Sequence, residues 1–188
     1  MSVSSIVLQS QGTYTGTISV NNTTGVVSIS NAAPVGTHTI TVRATDNCGA
    51  MTDAIFTLNN RPLISLSQSN YSVNENVAFV PITVNRTGDL SVPVKVDYAT
   101  HDTGSSNLCS AINTGMASAR CDFGLVLGTL NFAVNEAQKT FIIPITQDGF
   151  TEGPEAFRVN LSNLTGGAAF ASPSSGRHNQ RHQQHRQQ

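Results

Sequence analysis

The sequence predicts an all-β chain built as two tandem β-sandwich modules. Three observations predict this. Apolar residues recur at every second position through most of the chain, as a half-buried strand requires, and no 3.6-residue pattern appears. Clusters of Gly, Asn, Asp and Pro cut these runs at strand-length intervals. Charged residues make up only 11% of the chain, against roughly 25% in an average globular protein, and Ser, Thr, Asn and Gly take their place. With 38% hydrophobic residues and no Trp, the cores are expected to be small.

The first module is expected over residues 1–60. Tyr14, Gly16, Ile18 and Val20 alternate, and Asn21-Asn22-Thr23-Thr24-Gly25 turns the chain. Val27 and Ile29 follow, then the turn Ala32-Ala33-Pro34-Val35-Gly36. Ile40, Val42 and Ala44 alternate up to the turn Asp46-Asn47-Cys48-Gly49, and Phe56 and Leu58 close the segment. The run GTHTITVRATDNCGA resembles bacterial immunoglobulin-like and cadherin-like surface modules, whose penultimate strand ends in Ala-Thr-Asp. The segment is short for such a module and is expected to lack its first strand. Asp46 is read as opening a turn rather than as a ligand to a cation between modules. Asn59-Asn60-Arg61-Pro62 reads as a linker, its Pro holding the preceding residue extended.

The second module is expected over residues 61–172. Strand A covers 63–73 and strand B covers 77–86, where Val80, Ile82 and Val84 alternate and Pro81 implies an edge or a bulge. Arg86-Thr87-Gly88-Asp89 is a turn. Strand C carries Val92, Val94, Val96 and Tyr98, and a long polar connection over 101–124 follows. Strand D carries Leu130, Phe132 and Val134. Phe141, Ile143 and Ile145 alternate in strand E, and Phe157, Val159 and Leu161 in strand F.

Between strands E and F sit Asp148, Glu152 and Glu155. Carboxylates crowded into one short loop repel unless solvated or neutralised, and calcium is the hard cation that prefers oxygen ligands. If each strand reverses direction, Glu75 after A, Asp102 after C, and Asp122 in the C–D connection join them at one pole. Glu136, in the D–E turn, falls at the other. A plain polar surface loop is the alternative reading.

The runs YSVNENVAFVPITVNRTGDLSVPVKVDYATHD and GTLNFAVNEAQKTFIIPITQDGFTEGPEAFRVNLSN resemble the Calx-beta domain over about residues 62–170. The resemblance rests on a Glu before strand B, the Arg-Thr-Gly turn, and the Asp97-Tyr98-Ala99-Thr100-His101-Asp102 run. It also rests on Gly-Thr-Leu-Asn-Phe, the Glu136–Lys139 turn, and the closing acidic loop with Glu152, Glu155 and Phe157. Such domains are seven-stranded sandwiches found in sodium–calcium exchangers, in an integrin cytoplasmic region and as repeats in large surface proteins. Some of them bind calcium. The resemblance implies Glu75, Asp102, Asp148, Glu152 and Glu155 as ligands, with the Phe150 carbonyl and, more weakly, Gln147 and Asp122 as further donors. Gln147 stands where strong binders carry an acid, and the acidic cluster that ends the family's last strand is missing. Weak Ca²⁺ binding, about 10⁻⁴–10⁻³ M, is therefore expected.

The tail, residues 173–188, reads GRHNQRHQQHRQQ after Ser175 and has no apolar residue in that run. The resemblance implies a seventh, last strand here, and this polar run is expected to leave the sandwich without it. An out-of-frame end is the preferred reading, with a genuine disordered basic extension, or metal or nucleic-acid binding through its His and Arg residues, as the alternatives. Of the three cysteines, Cys109 and Cys121 are spaced so that a disulfide would close a small loop, worth about 3 kcal/mol, with two free thiols as the alternative. Their spacing matches no zinc pattern, and Cys48 is left over.

The net charge of −1 provides no field for nucleic acid, and no apolar run reaches membrane-spanning length. Residues 1–5 carry no basic n-region, so no signal peptide is read. Lys occurs only at Lys95 and Lys139, as in many exported modules. The expected function is a non-enzymatic calcium-binding structural or adhesive module of a repeat-bearing cell-surface or secreted protein. Its partners would be neighbouring modules and other surface proteins or glycans. An intracellular calcium sensor, as in the exchangers, and a calcium-independent spacer are the alternatives. A hydrolase using Glu152 and Glu155 is disfavoured, because short loops on a narrow sandwich offer no cleft. Sequons such as Asn85-Arg86-Thr87 arise readily by chance in a chain of this composition.

Overall fold

A computed structural model describes residues 3–31, 34–102, 115–119, 121–147 and 153–171, and the backbone of 177–182. All its regular elements are strands.

In the first module β1 (Val3–Ser10), β4 (Gly36–Asp46) and β5 (Met51–Asn60) form an antiparallel sheet in the order β1-β4-β5, while β2 (Thr17–Val20) and β3 (Val27–Ser30) form a hairpin. The turn chemistry is local. Asn21 Oδ1 accepts the N–H groups of Thr23 and Thr24, and Asp46 Oδ1 accepts those of Cys48 and Ala50. Asp46 therefore folds its own turn. Tyr14, Ile40 and Val42 are buried together with His38, whose Nδ1 lies 2.8 Å from Thr13 Oγ1.

The second module is a two-sheet sandwich. One sheet orders β10 (Leu127–Phe132), β9 (Val94–His101), β12 (Glu155–Ser162), β14 (Arg177–His182) and β7 (Ser72–Val73). The other orders β11 (Gln138–Pro144), β8 (Phe79–Gly88), β6 (Pro62–Leu66) and β13 (Ala169–Phe170). The alternating residues of both sheets meet in one core: Val80, Ile82 and Val84 from β8, Phe141 and Ile143 from β11, and Phe157, Val159 and Leu161 from β12. At roughly 25 cal/mol per Å² of apolar surface, this burial is the main favourable term in folding.

Four expectations change. Strand A over 63–73 divides: β6 pairs with β8 in one sheet, and β7 crosses to the other. The crossing is held where Ser67 Oγ and the buried Tyr71 hydroxyl lie 2.7 Å apart. Val134 is not in a strand, since Ala133 N–H donates to Glu136 Oε2 and Asn135 turns left-handed at φ 63°. Third, the tail supplies a strand. β14 pairs antiparallel with β12 and parallel with β7, filling the place of the last strand that its polarity argued against. Ladder hydrogen bonds are made by backbone groups, so a polar run can complete a sheet whose neighbours would otherwise present unpaired edges.

Fourth, Pro81 lies in a strand with neighbours on both sides, not at an edge. Backbone groups of alternate β8 residues face opposite neighbours: Arg86 N–H reaches Ala137 O on the β11 side, and Thr83 O accepts Ser67 N–H on the β6 side. Pro81 has the parity of Thr83, and the β6 ladder ends at Leu66↔Val84. The missing N–H of Pro81 therefore falls beyond the end of β6 and costs no ladder bond.

Candidate functional site

The pole where the acids converge is organised by the strip 115–119. It lies beside the start of β12: Ala156 N–H donates to Gly115 O at 3.2 Å, and Ala117 N–H donates to Ala156 O at 3.0 Å. Asp102, one residue past β9 and exposed, accepts the Ala119 N–H through Oδ1 at 2.9 Å. Asp122 is 4% exposed and accepts the Ser118 N–H through Oδ2 at 2.5 Å. Its own N–H returns to Ser118 O at 2.9 Å, so the carboxylate closes the 118–122 turn. The strip is then tied to the opposite sheet. Thr146 N–H donates to Asp122 O at 3.0 Å, Phe123 bridges to Ile145, and the Phe123 ring stacks on Phe157 at 4.1 Å between centroids.

Register places the other acids at the same end. Glu155 opens β12 and is 4% exposed. It pairs with His182 of β14, which pairs in turn with Val73 of β7. Half-buried Glu75 follows two residues beyond Val73, in the turn closed by Val77 N–H to Asn74 O. On the other flank of β12, Arg158 pairs with His101, next to Asp102. Gln147 is exposed just past β11. The structure thus brings Glu75, Asp102, Asp122, Gln147 and Glu155 to one end of the sandwich. Asp148, Phe150 and Glu152 lie outside the described residues. Glu136 sits at the far end, 2.7 Å from Lys139 Nζ. The hydrogen bond from Lys139, then that from Ala133 N–H, holds the Glu136 carboxyl below its ordinary range.

The donor chemistry at this pole suits a hard cation, since every candidate offers oxygen. Two of the carboxylates already spend an oxygen on backbone N–H groups, so Asp102 and Asp122 also brace the strip. A buried carboxylate such as Asp122 or Glu155 is costly unless it is bonded. Among the described residues, no three of His, Cys, Asp and Glu gather closely enough to hold an ion. Cys121 is disulfide-bonded and Cys48 is exposed and free, while Cys109 lies outside the described residues.

Sequence reasoning passed over two features. The peptide groups of 115–119 gave no signal, because the segment lacks any periodicity. Arg86 did give one: it continues the inward parity of Val80, Ile82 and Val84, yet the sequence reading makes it only the end of strand B and the opening of a turn.

The Calx-beta domain pattern matches residues 58–179. The chain is similar to sodium/calcium exchanger 1 of Mus musculus, 35% identical over 102 residues, which is 54% of this chain and 9% of the exchanger. It is also similar to the sodium/calcium exchanger Calx of Drosophila melanogaster, 32% identical over 104 residues, 55% of this chain and 10% of the exchanger. The match therefore spans about a tenth of those relatives. Among solved structures, the apo-form Calx CBD1 domain superposes with a TM-score of 0.57 at 26% identity, covering 67% of this chain and 99% of that one. The calcium binding domain CBD12 of CALX1.1 gives 0.53 at 26% identity, covering 64% of this chain and 45% of that one.

Proposed function

The chain belongs to the Calx-beta domain family, and we propose that it is a non-enzymatic calcium-binding module of a repeat-bearing cell-surface or secreted protein. Calcium at the acidic pole would stiffen that end of the sandwich and its junction with whatever follows. The observation that carries this reading is the register row that brings Glu155, Glu75 and Asp102 to one end of the five-stranded sheet. Likeness to the calcium binding domain CBD12 of CALX1.1 supports the choice of ion. The disulfide at Cys121 supports an oxidising compartment. Neighbouring modules are the proposed partners, with other surface proteins or glycans beyond them.

The test is a thermal melt of the full chain in millimolar calcium and in excess chelator. Calcium at ten times Kd adds about 1.4 kcal/mol to the folded state. A calcium-specific rise in Tm that is lost in Asp102→Asn and Glu75→Gln is the expected result. A cooperative melt indifferent to calcium would leave a structural spacer instead. Likeness to the exchangers favours a second reading, a calcium-sensing regulatory domain. The two are separated by affinity: a sensor titrates at about 10⁻⁷–10⁻⁵ M and an extracellular module at about 10⁻⁴–10⁻³ M.

A further inference from the structure

We propose that the corner from Arg86 to Asp89 is a docking face for the first module, and that it locks the two modules into a single rigid body. This goes beyond the calcium reading and does not depend on it.

The covalent connection is minimal. β5 ends at Asn60 and β6 begins at Pro62, so Arg61 alone joins them. A short connection limits how far modules separate, but it does not fix their rotation. Relative motion is the default for modules joined through a small interface. Here the side chains remove that freedom.

Asn60 is buried, and its amide spans the joint. Nδ2 donates to Pro34 O in the first module at 2.9 Å and to Asp89 Oδ2 in the second at 2.8 Å. Both hydrogens of that amide are thereby used, one on each side. Asp89 is fully buried. Its Oδ1 accepts the Ser91 N–H at 2.6 Å, and its own N–H donates to Arg61 O at 3.3 Å. A buried carboxylate is tolerated only when its oxygens are bonded, and the donor for Oδ2 comes from outside the second sandwich. The charge of Asp89 reaches further still. The phenol of Tyr14, in the first module's core, is pushed above its ordinary range by burial and then by Asp89.

The corner is rigid enough to serve as a dock. Arg86 is 2% exposed. Its Nη2 donates to Asp89 O at 2.9 Å and Val92 O at 2.5 Å, and its Nη1 donates to Ala133 O at 3.1 Å. One guanidinium therefore pins the 89–92 turn to the β10–β11 turn. Burial lowers the Arg86 pKa, while the charges of Asp89 and Glu136 oppose that shift. Backbone contact is equally close. Gly88 turns at φ +73°, and a Cβ there would lie 2.3 Å from Arg61 O. Across the joint, a Cβ on Gly167 would lie 3.1 Å from Val35 Cγ1. The dock occupies the Gly88 end of β8, and the acidic pole the Phe79 end, about 30 Å away at the rise of an extended strand.

The test uses the full chain with two spin labels, one on the free, exposed Cys48 and one on Asn131→Cys, an exposed position of β10. Pulsed electron resonance should give one narrow distance distribution. Asn60→Ala, which removes only the amide bonded to Pro34 and Asp89, should broaden it. The same change should speed hydrogen exchange at the Asp89 amide by about tenfold, as loss of a charge-assisted hydrogen bond implies. Asp89→Asn, which sets an amide donor against the Asn60 amide, should act in the same direction; if it unfolds the second module, Asn60→Ala decides alone. A broad distribution in the parent chain, or one unchanged by Asn60→Ala, overturns the proposal.

Discussion

The rings of Tyr98 and Phe141 stack with centroids 3.9 Å apart and planes 17° from parallel. Tyr98 belongs to β9 and Phe141 to β11, so this contact joins the two sheets of the sandwich near its β10–β11 side. Phe141→Ala removes the ring and leaves a cavity, which typically costs about 3–5 kcal/mol. A chemical melt should show that loss as a lower midpoint at constant slope. A loss under 1 kcal/mol would mean that the stack adds nothing to the core.

Acid should weaken the second module through Asp97. This half-buried carboxylate accepts hydrogen bonds from Thr129 Oγ1 at 2.5 Å and Asn163 Nδ2 at 2.8 Å. The Thr129 bond first, then that of Asn163, lowers its pKa below the ordinary 3.8. A lowered folded pKa means stability that is fully present above the unfolded value and lost as pH falls through the folded one. As pH falls from about 5 to about 2, through the unfolded value of about 3.9, Tm should fall more in the parent chain than in Asp97→Asn. Parallel curves would show that Asp97 plays no part.

Thiol counting checks the cysteine arrangement. With Cys121 bonded and Cys48 free, the denatured, unreduced chain should release one thiol, and the reduced chain three. Reduction should cost about 3 kcal/mol if the closed loop runs from Cys109 to Cys121. Three thiols before reduction would remove the main support for an oxidising compartment.

Charge neutralisation at the two ends should separate a metal effect from general electrostatics. Glu155→Gln at the acidic pole should abolish the calcium-dependent rise in Tm. Glu136→Gln, paired with Lys139 at the other end, should lower Tm slightly in every buffer and leave the calcium increment intact. An equal loss of increment in both variants would refute a localised site.

Much of the fold could be read from alternation. The inward residues of β8, β11 and β12 are those whose period of two marked them, because burial on one face selects every second side chain. What could not be read depended on contacts distant in sequence. The split of strand A is settled by which sheet each half meets, and nothing in residues 63–73 specifies that. β14 is held by ladder bonds to β12 and β7, and a backbone carries no composition signal. Of the site, strand reversal alone was enough to place Glu75, Asp102, Asp122 and Glu155 at one end, while Asp148 and Glu152 lie outside the described residues. The strip that Asp102 and Asp122 brace was not legible, because it has neither periodicity nor a motif. Asn60 looked like linker material for a similar reason: its partner Asp89 lies 29 positions away.

The parallel pairing of His182 with Val73 sets a timetable for synthesis. Val73 emerges from the ribosome more than one hundred residues before its neighbour, and at about 5–20 residues per second it waits for several seconds. During that interval β12 and β7 have no strand between them, and the larger sheet cannot close. The first module has no such dependence, since β1, β4 and β5 all lie within its own sixty residues. The nascent chain should therefore acquire a folded N-terminal body first, while the half that carries the acidic pole remains open until its final strand arrives.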